Sequence, residues 1–207
     1  MNQNLPTKYV ALTFDDGPSA YTVSILDILK KYNISATFFV VGSEVKKFPN
    51  IIQRIYREKH IIGNHTWNHP DITTLSKNEL WKEINSTNIQ IKKIIGHSPD
   101  LFRPPYSSIN DKNADAIKKF GMTSVLWNVD SKDWKEKSPL AIQKNVISGI
   151  KKNSLIVMHD GDQYGSGPRD QIVTSLPKII TYLLENNYRF LTVPEFHQVA
   201  YKIEKWP

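Results

Sequence analysis

The sequence predicts an α/β fold built on a mainly parallel sheet, and three observations lead to it. Short apolar, β-branched or aromatic runs, typical of buried strands, alternate with longer amphipathic stretches, typical of helices. Strict alternation of this kind favours parallel strands joined by right-handed crossovers. No linker rich in Pro, Gly or Ser divides the chain, so we expect one domain over residues 1–207. Seven β/α units fit either an open doubly wound sheet or a closed irregular barrel.

The individual elements follow from these patterns. We predict strands at Tyr9–Phe14, Ala36–Val41, His60–Asn64, Leu101–Arg103, Thr123–Val129, Ser154–Met158 and Tyr188–Val193. We predict helices at Tyr21–Tyr32, Asn50–Glu58, Lys77–Ile95, Asp111–Phe120, Pro139–Ile150 and Asp170–Asn186. Ser76, three residues before Glu79, and Ser138, directly before Pro139, are typical helix N-caps. In both architectures the chemistry is expected in loops that follow the carboxyl ends of the strands.

Composition excludes several classes of protein and of site. With 40% hydrophobic and 23% charged residues, the chain is neither disordered nor fibrous. The absence of cysteine excludes disulfides, thiolate nucleophiles and iron–sulfur clusters, so any metal must bind to His, Asp or Glu. The net charge of +7 favours an anionic partner or serves solubility alone.

Membrane and nucleic-acid partners are not expected. No apolar run approaches the ~20 residues of a membrane span. The first ten residues, MNQNLPTKYV, lack the features of a signal peptide, so a targeting segment would lie outside this chain. The lysines are dispersed and form no basic stripe interleaved with aromatic residues, which argues against nucleic acid.

Two loops carry residue types that bind metals. Asp15 and Asp16 end the first predicted strand, although the Asp-Gly-Pro sequence that they enter is also ordinary turn chemistry. His65 and His69 follow the third strand, and their four-residue spacing lets both imidazoles reach one metal if the segment forms a helical turn. In isolation, a structural role is favoured for each loop.

Three later loops carry groups suited to acid–base work. The fourth strand runs into Arg103, suited to holding a carboxylate, and into a rigid Pro-Pro-Tyr sequence that leaves the Tyr106 N–H well placed as a donor. Asp133 follows the fifth strand, and His159 ends the sixth. A histidine at the end of a buried strand favours acid–base catalysis, with a structural histidine as the alternative.

Together these residues resemble a known family. The chain is similar to the polysaccharide deacetylases, the NodB-homology group of carbohydrate esterase family four, whose motifs read T-F-D-D-G-P, H-[ST]-x-x-H-P, R-x-P-Y, D-x-x-D-W and L-x-H. All five occur in order between Thr13 and His159, with Val157 in place of the leucine of the last motif. The resemblance implies a distorted (β/α)7 barrel, one of the two architectures left open above.

The resemblance also implies roles for the residues. It implies Asp16, His65 and His69 as ligands of one divalent metal ion, Zn²⁺ first, with Co²⁺, Ni²⁺ or Fe²⁺ as alternatives. It implies Asp15 as general base, oriented by Arg103.

Further roles implied by the resemblance concern the substrate and the leaving group. His159 is implied as general acid with Asp133 as its partner, and the Tyr106 N–H as a donor to the oxyanion. The implied substrate-binding residues are Pro105, Tyr106, Trp134 and Val157.

The function expected from the resemblance is removal of N-acetyl groups from N-acetylglucosamine in a polysaccharide, peptidoglycan before others because the positive charge suits an anionic wall. Chitin or chitooligosaccharide deacetylation and O-acetyl xylan esterase activity are alternatives within the family. Alternatives of other classes are a catalytically weak carbohydrate-binding relative and a non-haem iron oxygenase, whose sites also use two His and one carboxylate. We expect an extracellular or cell-wall-associated monomer.

Overall fold

The computed structural model describes residues 8–161 and 168–203, and its centre is one parallel sheet. The strands of the described residues are β1 Lys8–Asp15, β2 Thr37–Val40, β3 Ile61–Asn64, β4 Leu101–Phe102, β5 Thr123–Ser124, β6 Val129–Asp130, β7 Asn153–His159 and β8 Tyr188–Phe190. Their order is β5-β4-β3-β2-β1-β7-β6, with β8 also paired to β1, and every pairing is parallel. The predicted parallel α/β fold is confirmed.

One predicted strand differs in the structure, because the Thr123–Val129 segment pairs with two different neighbours. At its start, Val125 N–H donates to the carbonyl of Phe102, the last residue of β4, at 2.8 Å. At its end, Asn128 N–H donates to the Leu155 carbonyl of β7 at 3.1 Å, and the Asn128 side-chain oxygen accepts the Leu155 N–H at 2.8 Å. The expected strand is therefore split into β5 and β6. This segment supplies both edges of the curled sheet and gives it the form of a distorted barrel.

Helices surround the sheet. They are α1 Ala20–Tyr32, α2 Gly42–Lys47, α3 Pro49–Arg57, α4 Lys77–Ile95, α5 Asp111–Lys119, α6 Pro139–Gly149, α7 Asp170–Glu185 and α8 Val193–Ile203. Ser76 and Glu79 form the predicted capping box of α4, and Ser138 caps α6 with Pro139 in its first turn. The sequence prediction lacked α2, which has only six residues, and α8, whose start at Val193 shortens the predicted last strand. In the described part of the chain, no helix combines the length and apolar character needed to cross a bilayer.

The alternation of side chains along β1 decides where polar groups point. Val10, Leu12 and Phe14 belong to the large core between the sheet and the outer helices. Ala11 belongs to a second core on the opposite face of the sheet. Because successive strand residues face opposite sides, Asp15 shares the inner face with Ala11. The fold therefore delivers a carboxylate to the inside of the barrel at the carboxyl end of its central strand.

Candidate active site

Polar side chains gather where the strands end. Asp15 and His159 are the last residues of β1 and β7 and face each other in the register of these strands. His65 and Arg103 follow directly after β3 and β4. A cavity of about 580 Å³ opens at this end of the barrel, and Asp15 and His159 are among the residues that line it. These four predicted residues are thus brought together at one end of the barrel.

Arg103 is fully buried and binds Asp15. Its Nη1 lies 2.7 Å from Asp15 Oδ1 and 2.7 Å from the Thr13 hydroxyl oxygen, and its Nε donates to the Val125 carbonyl at 3.1 Å. The guanidinium carbon lies 4.1 Å from the centre of the Phe39 ring. Burial lowers the pKa of Arg103, and the negative charge of Asp15 opposes this. Arg103 thereby fixes one orientation of the Asp15 carboxylate and supplies its counter-charge.

Asp16, His65 and His69 form a buried group beside this pair, with ligand atoms all within 4.8 Å of one another. Asp16 Oδ1 lies 3.3 Å from His65 Nε2 and 3.1 Å from His69 Nε2. Burial by itself raises the pKa of Asp16, but the neighbouring imidazoles of His65 and His69 outweigh it and hold that pKa well below its usual range. The two imidazole nitrogens and one carboxylate oxygen converge on one point.

The fit of this group to a divalent cation rests on its donor atoms. His65 Nδ1 lies 2.7 Å from the Arg103 carbonyl oxygen, which assigns the proton to Nδ1 and leaves the Nε2 lone pair directed at Asp16. A hydrogen bond to the outer nitrogen is the usual companion of a metal-binding histidine. Buried nitrogen and oxygen donors of this type suit Zn²⁺ and related ions. These three residues could hold such an ion.

The segment between the two histidines is not the helical turn that their spacing suggested. Thr66 and His69 have φ values of 67° and 59°, in the left-handed region. The Asn64 side-chain oxygen accepts the Thr66 N–H at 2.8 Å, and the Thr66 hydroxyl accepts the His69 N–H at 3.0 Å. Glu83 of α4 accepts two more N–H groups of the loop at 2.8 Å. Side-chain hydrogen bonds, rather than helical geometry, thus place both imidazoles beside Asp16.

His159 is paired with Asp133, which is fully buried. Asp133 Oδ1 lies 2.8 Å from His159 Nδ1, and Oδ2 accepts the His159 N–H at 2.8 Å. The Ser131 hydroxyl donates to Asp133 Oδ1 at 2.9 Å. Burial lowers the pKa of His159, but Asp133, with Asp16 and Asp15 further away, outweighs it and raises the pKa to about 9. The structure therefore favours a charged, oriented imidazolium at the cavity.

Three of the four predicted substrate-binding residues line the cavity, and one does not. Tyr106, Trp134 and Val157 are lining residues, and the two aromatic side chains are about half exposed. Pro105 is buried and lies outside the lining, where Pro104 takes its place. The substrate-binding role of Pro105 stays a prediction.

The structure adds residues that the sequence reasoning missed. Further lining residues are Trp127, Asp130, Lys137, Pro168 and Arg169. Asp130 accepts a hydrogen bond from the Trp134 ring nitrogen at 3.4 Å, so it holds that ring at the cavity wall. Asp130 could have been identified from the sequence, because it is the first residue of the D-x-x-D-W motif that also contains Asp133. The sequence also predicts a border of the substrate groove in the Gly-rich stretch 161–168, of which residues 162–167 lie outside the described residues.

Asp160 is a second missed residue. It follows His159 and is buried, and its carboxylate accepts hydrogen bonds from Gly17 N–H and from the Thr22 hydroxyl. Burial raises the pKa of Asp160 to about 7 together with the charges of Asp15 and Asp16, while the Thr22 hydrogen bond opposes the rise. The signal in the sequence was an acidic residue placed directly after a histidine at a strand end.

Comparison with known proteins places this geometry in context. A family model described as polysaccharide deacetylase matches residues 2–125. The peptidoglycan-N-acetylmuramic acid deacetylase PdaC of Bacillus subtilis is 40% identical over 93% of this chain and 39% of that protein. A peptidoglycan-N-acetylglucosamine deacetylase of Bacillus cereus is 38% identical over 92% of this chain and 69% of that protein.

Solved structures agree with these relatives. A crystal structure of a peptidoglycan N-acetylglucosamine deacetylase in complex with an N-oxidanyl-benzamide compound superposes with a TM-score of 0.88. It is 38% identical to this chain and covers 93% of it, while this chain covers 89% of that one. The chain thus spans nearly all of the solved domain but about two fifths of the full length of PdaC.

Proposed function

Because the chain belongs to the polysaccharide deacetylase family, we propose that it hydrolyses the acetamide of N-acetylglucosamine residues in peptidoglycan. Water and the amide give acetate and a free amine on the sugar. The observation that carries this proposal is the arrangement of two ion pairs, Asp15 with Arg103 and His159 with Asp133, at the same cavity as the Asp16, His65 and His69 group. One pair supplies a base and the other an acid.

We assign the metal site to Asp16, His65 and His69, with Zn²⁺ as the ion and Co²⁺, Ni²⁺ or Fe²⁺ as substitutes. The convergence of their donor atoms supports this assignment. A divalent ion held there supplies Lewis acidity toward the amide carbonyl and toward water.

Asp15 is the residue we assign as general base. Arg103 holds one of its carboxylate oxygens at 2.7 Å and is itself immobilised by Thr13 and the Val125 carbonyl. The base therefore faces the cavity in a single orientation, ready to accept a proton from the attacking water.

His159 is the residue we assign as general acid. The amine leaves only when its nitrogen is protonated, and an imidazolium with a pKa of about 9 is charged at neutral pH. Asp133 orients the ring through Nδ1, so Nε2 is the atom that delivers the proton.

The cavity walls support a small acyl group. We assign the Tyr106 N–H as a donor to the oxyanion, because Tyr106 lines the cavity and its ring centre lies 4.7 Å from that of His69. Trp134 and Val157 supply apolar surface for the acetyl methyl group.

Peptidoglycan is preferred over neutral polymers for two reasons. The relatives described above are named for action on peptidoglycan. The net charge of +7 also favours an anionic wall. We therefore propose an extracellular or cell-wall-associated monomer.

The deciding experiment measures acetate release from peptidoglycan, chitooligosaccharides and acetylated xylan at equal acetyl concentration, with metal added. We expect the fastest release from peptidoglycan, and the Asp15→Asn variant serves as the inactive control. Faster acetate release from chitooligosaccharides or xylan would contradict the assignment of peptidoglycan and identify that polymer as the preferred substrate. Polymer binding with no acetate release from any of them would instead identify a carbohydrate-binding relative.

A further inference from the structure

We infer that Asp160 is a positioning residue whose buried carboxylate and main chain fix the turn that carries Asp15 and Asp16. The inference rests on the proposed function, which gives those two residues their roles. It adds a residue outside the cavity lining, one that acts on the base and on the metal ligand through the backbone between them.

Asp160 holds the turn on both sides of Asp16. Its N–H donates to the Asp15 carbonyl at 3.1 Å, and its Oδ1 accepts the Gly17 N–H at 3.1 Å. The metal ligand Asp16 is therefore the single residue enclosed between two hydrogen bonds to Asp160. Both bonds are buried, since only 1% of Asp160 is exposed, and water cannot readily replace them.

A second pair of contacts ties Asp160 to the start of α1. The Thr22 hydroxyl donates to Asp160 Oδ2 at 2.5 Å, and the Ser19 hydroxyl donates to the Asp160 carbonyl. The Thr22 oxygen also accepts the Ser19 N–H at 2.8 Å, so the direction of its own proton toward Asp160 is defined. With the Gly17 N–H on Oδ1, two donors thus meet the two oxygens of a group that, when ionised, only accepts.

The backbone on either side packs closely against Asp160 and Asp16. A Cβ on Gly17 would lie 2.1 Å from Asp160 Oδ2, and a Cβ on Gly161 would lie 2.6 Å from the Asp16 carbonyl oxygen. The two backbones can approach this closely only because both residues are glycine. Close contact and hydrogen bonds together maintain Asp16 at φ 75°, a conformation that a non-glycine residue keeps only when its surroundings enforce it.

The chemical consequence follows from chain connectivity. Asp160 is bonded to His159, so one peptide segment carries the proposed acid and also fixes the proposed base and metal ligand. Loss of the carboxylate frees the Asp15–Gly17 turn without removing any group that touches substrate. Groups behind metal ligands typically contribute about 10–100-fold to metal affinity or activity.

The test compares Asp160→Ala, Asp160→Asn and Thr22→Val with a matched control, Ser175→Ala. The control removes the buried hydrogen bond from the Ser175 hydroxyl to the Gln171 carbonyl and a partly buried one to the Pro139 carbonyl, at a position outside the cavity lining. Calorimetric Co²⁺ affinity, the visible spectrum of bound Co²⁺, kcat and KM are measured for each, with thermal unfolding as the check on folding. Thr22→Ser, which keeps the hydroxyl, is the rescue variant.

We expect Asp160→Ala to weaken Co²⁺ binding about 10-fold or more, to change the Co²⁺ spectrum and to lower kcat with little change in KM. Asp160→Asn and Thr22→Val should change the same quantities less. Thr22→Ser should keep Co²⁺ affinity and kcat near their wild-type values. The double variant Asp160→Ala with Thr22→Val should lose no more Co²⁺ affinity or kcat than Asp160→Ala alone. Ser175→Ala should lower only the unfolding temperature.

Unchanged Co²⁺ affinity, spectrum and kcat in a folded Asp160 variant would overturn the inference. If Asp160→Ala does not fold, Asp160→Asn and Thr22→Val decide the question by the same criteria. Wild-type protein that binds Co²⁺ but releases no acetate would refute the proposed function, while the affinity and spectral comparisons would still test Asp160.

Discussion

Replacing Asp133 by Asn tests the assignment of His159 as a general acid. The substitution keeps the shape of the side chain but removes the charge that faces His159 Nδ1 at 2.8 Å. Burial, which lowers the pKa of His159, is then opposed only by the more distant Asp15 and Asp16. We expect the pKa of His159 to fall from about 9 to its ordinary value or below.

The size of the effect follows from the fraction of protonated imidazole. At pH 8, a group of pKa about 9 is mostly charged, whereas one of pKa 6.5 is about 3% charged, so kcat/KM should fall about 30-fold. At pH 6 the same comparison gives a loss of less than about 2-fold. The alkaline limb of the pH–rate profile should therefore move to lower pH. A divalent ion at Asp16 would offset the Asp16 charge and so lower the pKa of His159 in the wild type and in the variant alike. The quantity to compare is therefore the difference in pKa between the two proteins.

The same interaction predicts how stability depends on pH. A histidine whose pKa is raised on folding stabilises the protein fully below its unfolded pKa near 6.5, and this contribution is lost as the pH rises through about 9. The contribution is at most about 3–4 kcal/mol. Asp133→Asn should therefore destabilise the protein more at pH 6 than at pH 10 in thermal unfolding.

A control and a contrary outcome complete this test. Ser131→Ala removes the hydrogen bond from an uncharged donor, the Ser131 hydroxyl, and leaves the charge of Asp133 in place. The alkaline limb of this variant's pH–rate profile should therefore move far less. An unchanged limb in folded Asp133→Asn would mean that His159 is not the group that titrates, and the assignment of the acid would be wrong.

The remaining predictions concern the other charged groups. Asp15→Asn should abolish acetate release yet retain Zn²⁺ by elemental analysis, whereas Asp16→Ala should lose the metal; the opposite pattern would exchange their roles. His159→Ala should lower kcat by about 10²–10⁴-fold, and a normal rate would make this histidine structural. Arg103→Met should cost about 3–5 kcal/mol in chemical unfolding, since it leaves Asp15 buried without its cation, and a much smaller loss would mean that water reaches the carboxylate. Chelator treatment should silence the wild-type enzyme and Zn²⁺ or Co²⁺ should restore it, while activity without metal would contradict the assigned site.

The sequence predicted those parts of the fold that depend on local patterns. The long helix α4 was predicted with both ends correct, because its capping box and its apolar periodicity agree. The break between β5 and β6 was not predicted, because Thr123–Val129 reads as one apolar run whichever neighbour each half pairs with. Sheet closure depends on partners far along the chain, and a local pattern does not identify them.

In the site, too, local sequence features were predictable and contacts between distant segments were not. Residues with functional chemistry at strand ends, such as Asp15 and His159, could be predicted because the strands place them together. The hydrogen bond from His65 Nδ1 to the Arg103 carbonyl and the one from the Gly17 N–H to the Asp160 carboxylate could not be predicted, since each involves a main-chain group that nearly every residue carries.

Left-handed backbone conformations are concentrated at the cavity. Six of the nine non-glycine residues with positive φ in the described chain lie in loops that carry site residues: Asp16, Thr66, His69, Tyr106, Ser107 and Lys132. Each such conformation costs roughly 1–3 kcal/mol, so the loops around the cavity lower the stability of the folded protein. Selection for thermal stability alone would relax these loops, for example through glycine at position 107. Substitutions meant to raise thermal stability should therefore be made in the outer helices, and the strained loops around the cavity should be left unchanged.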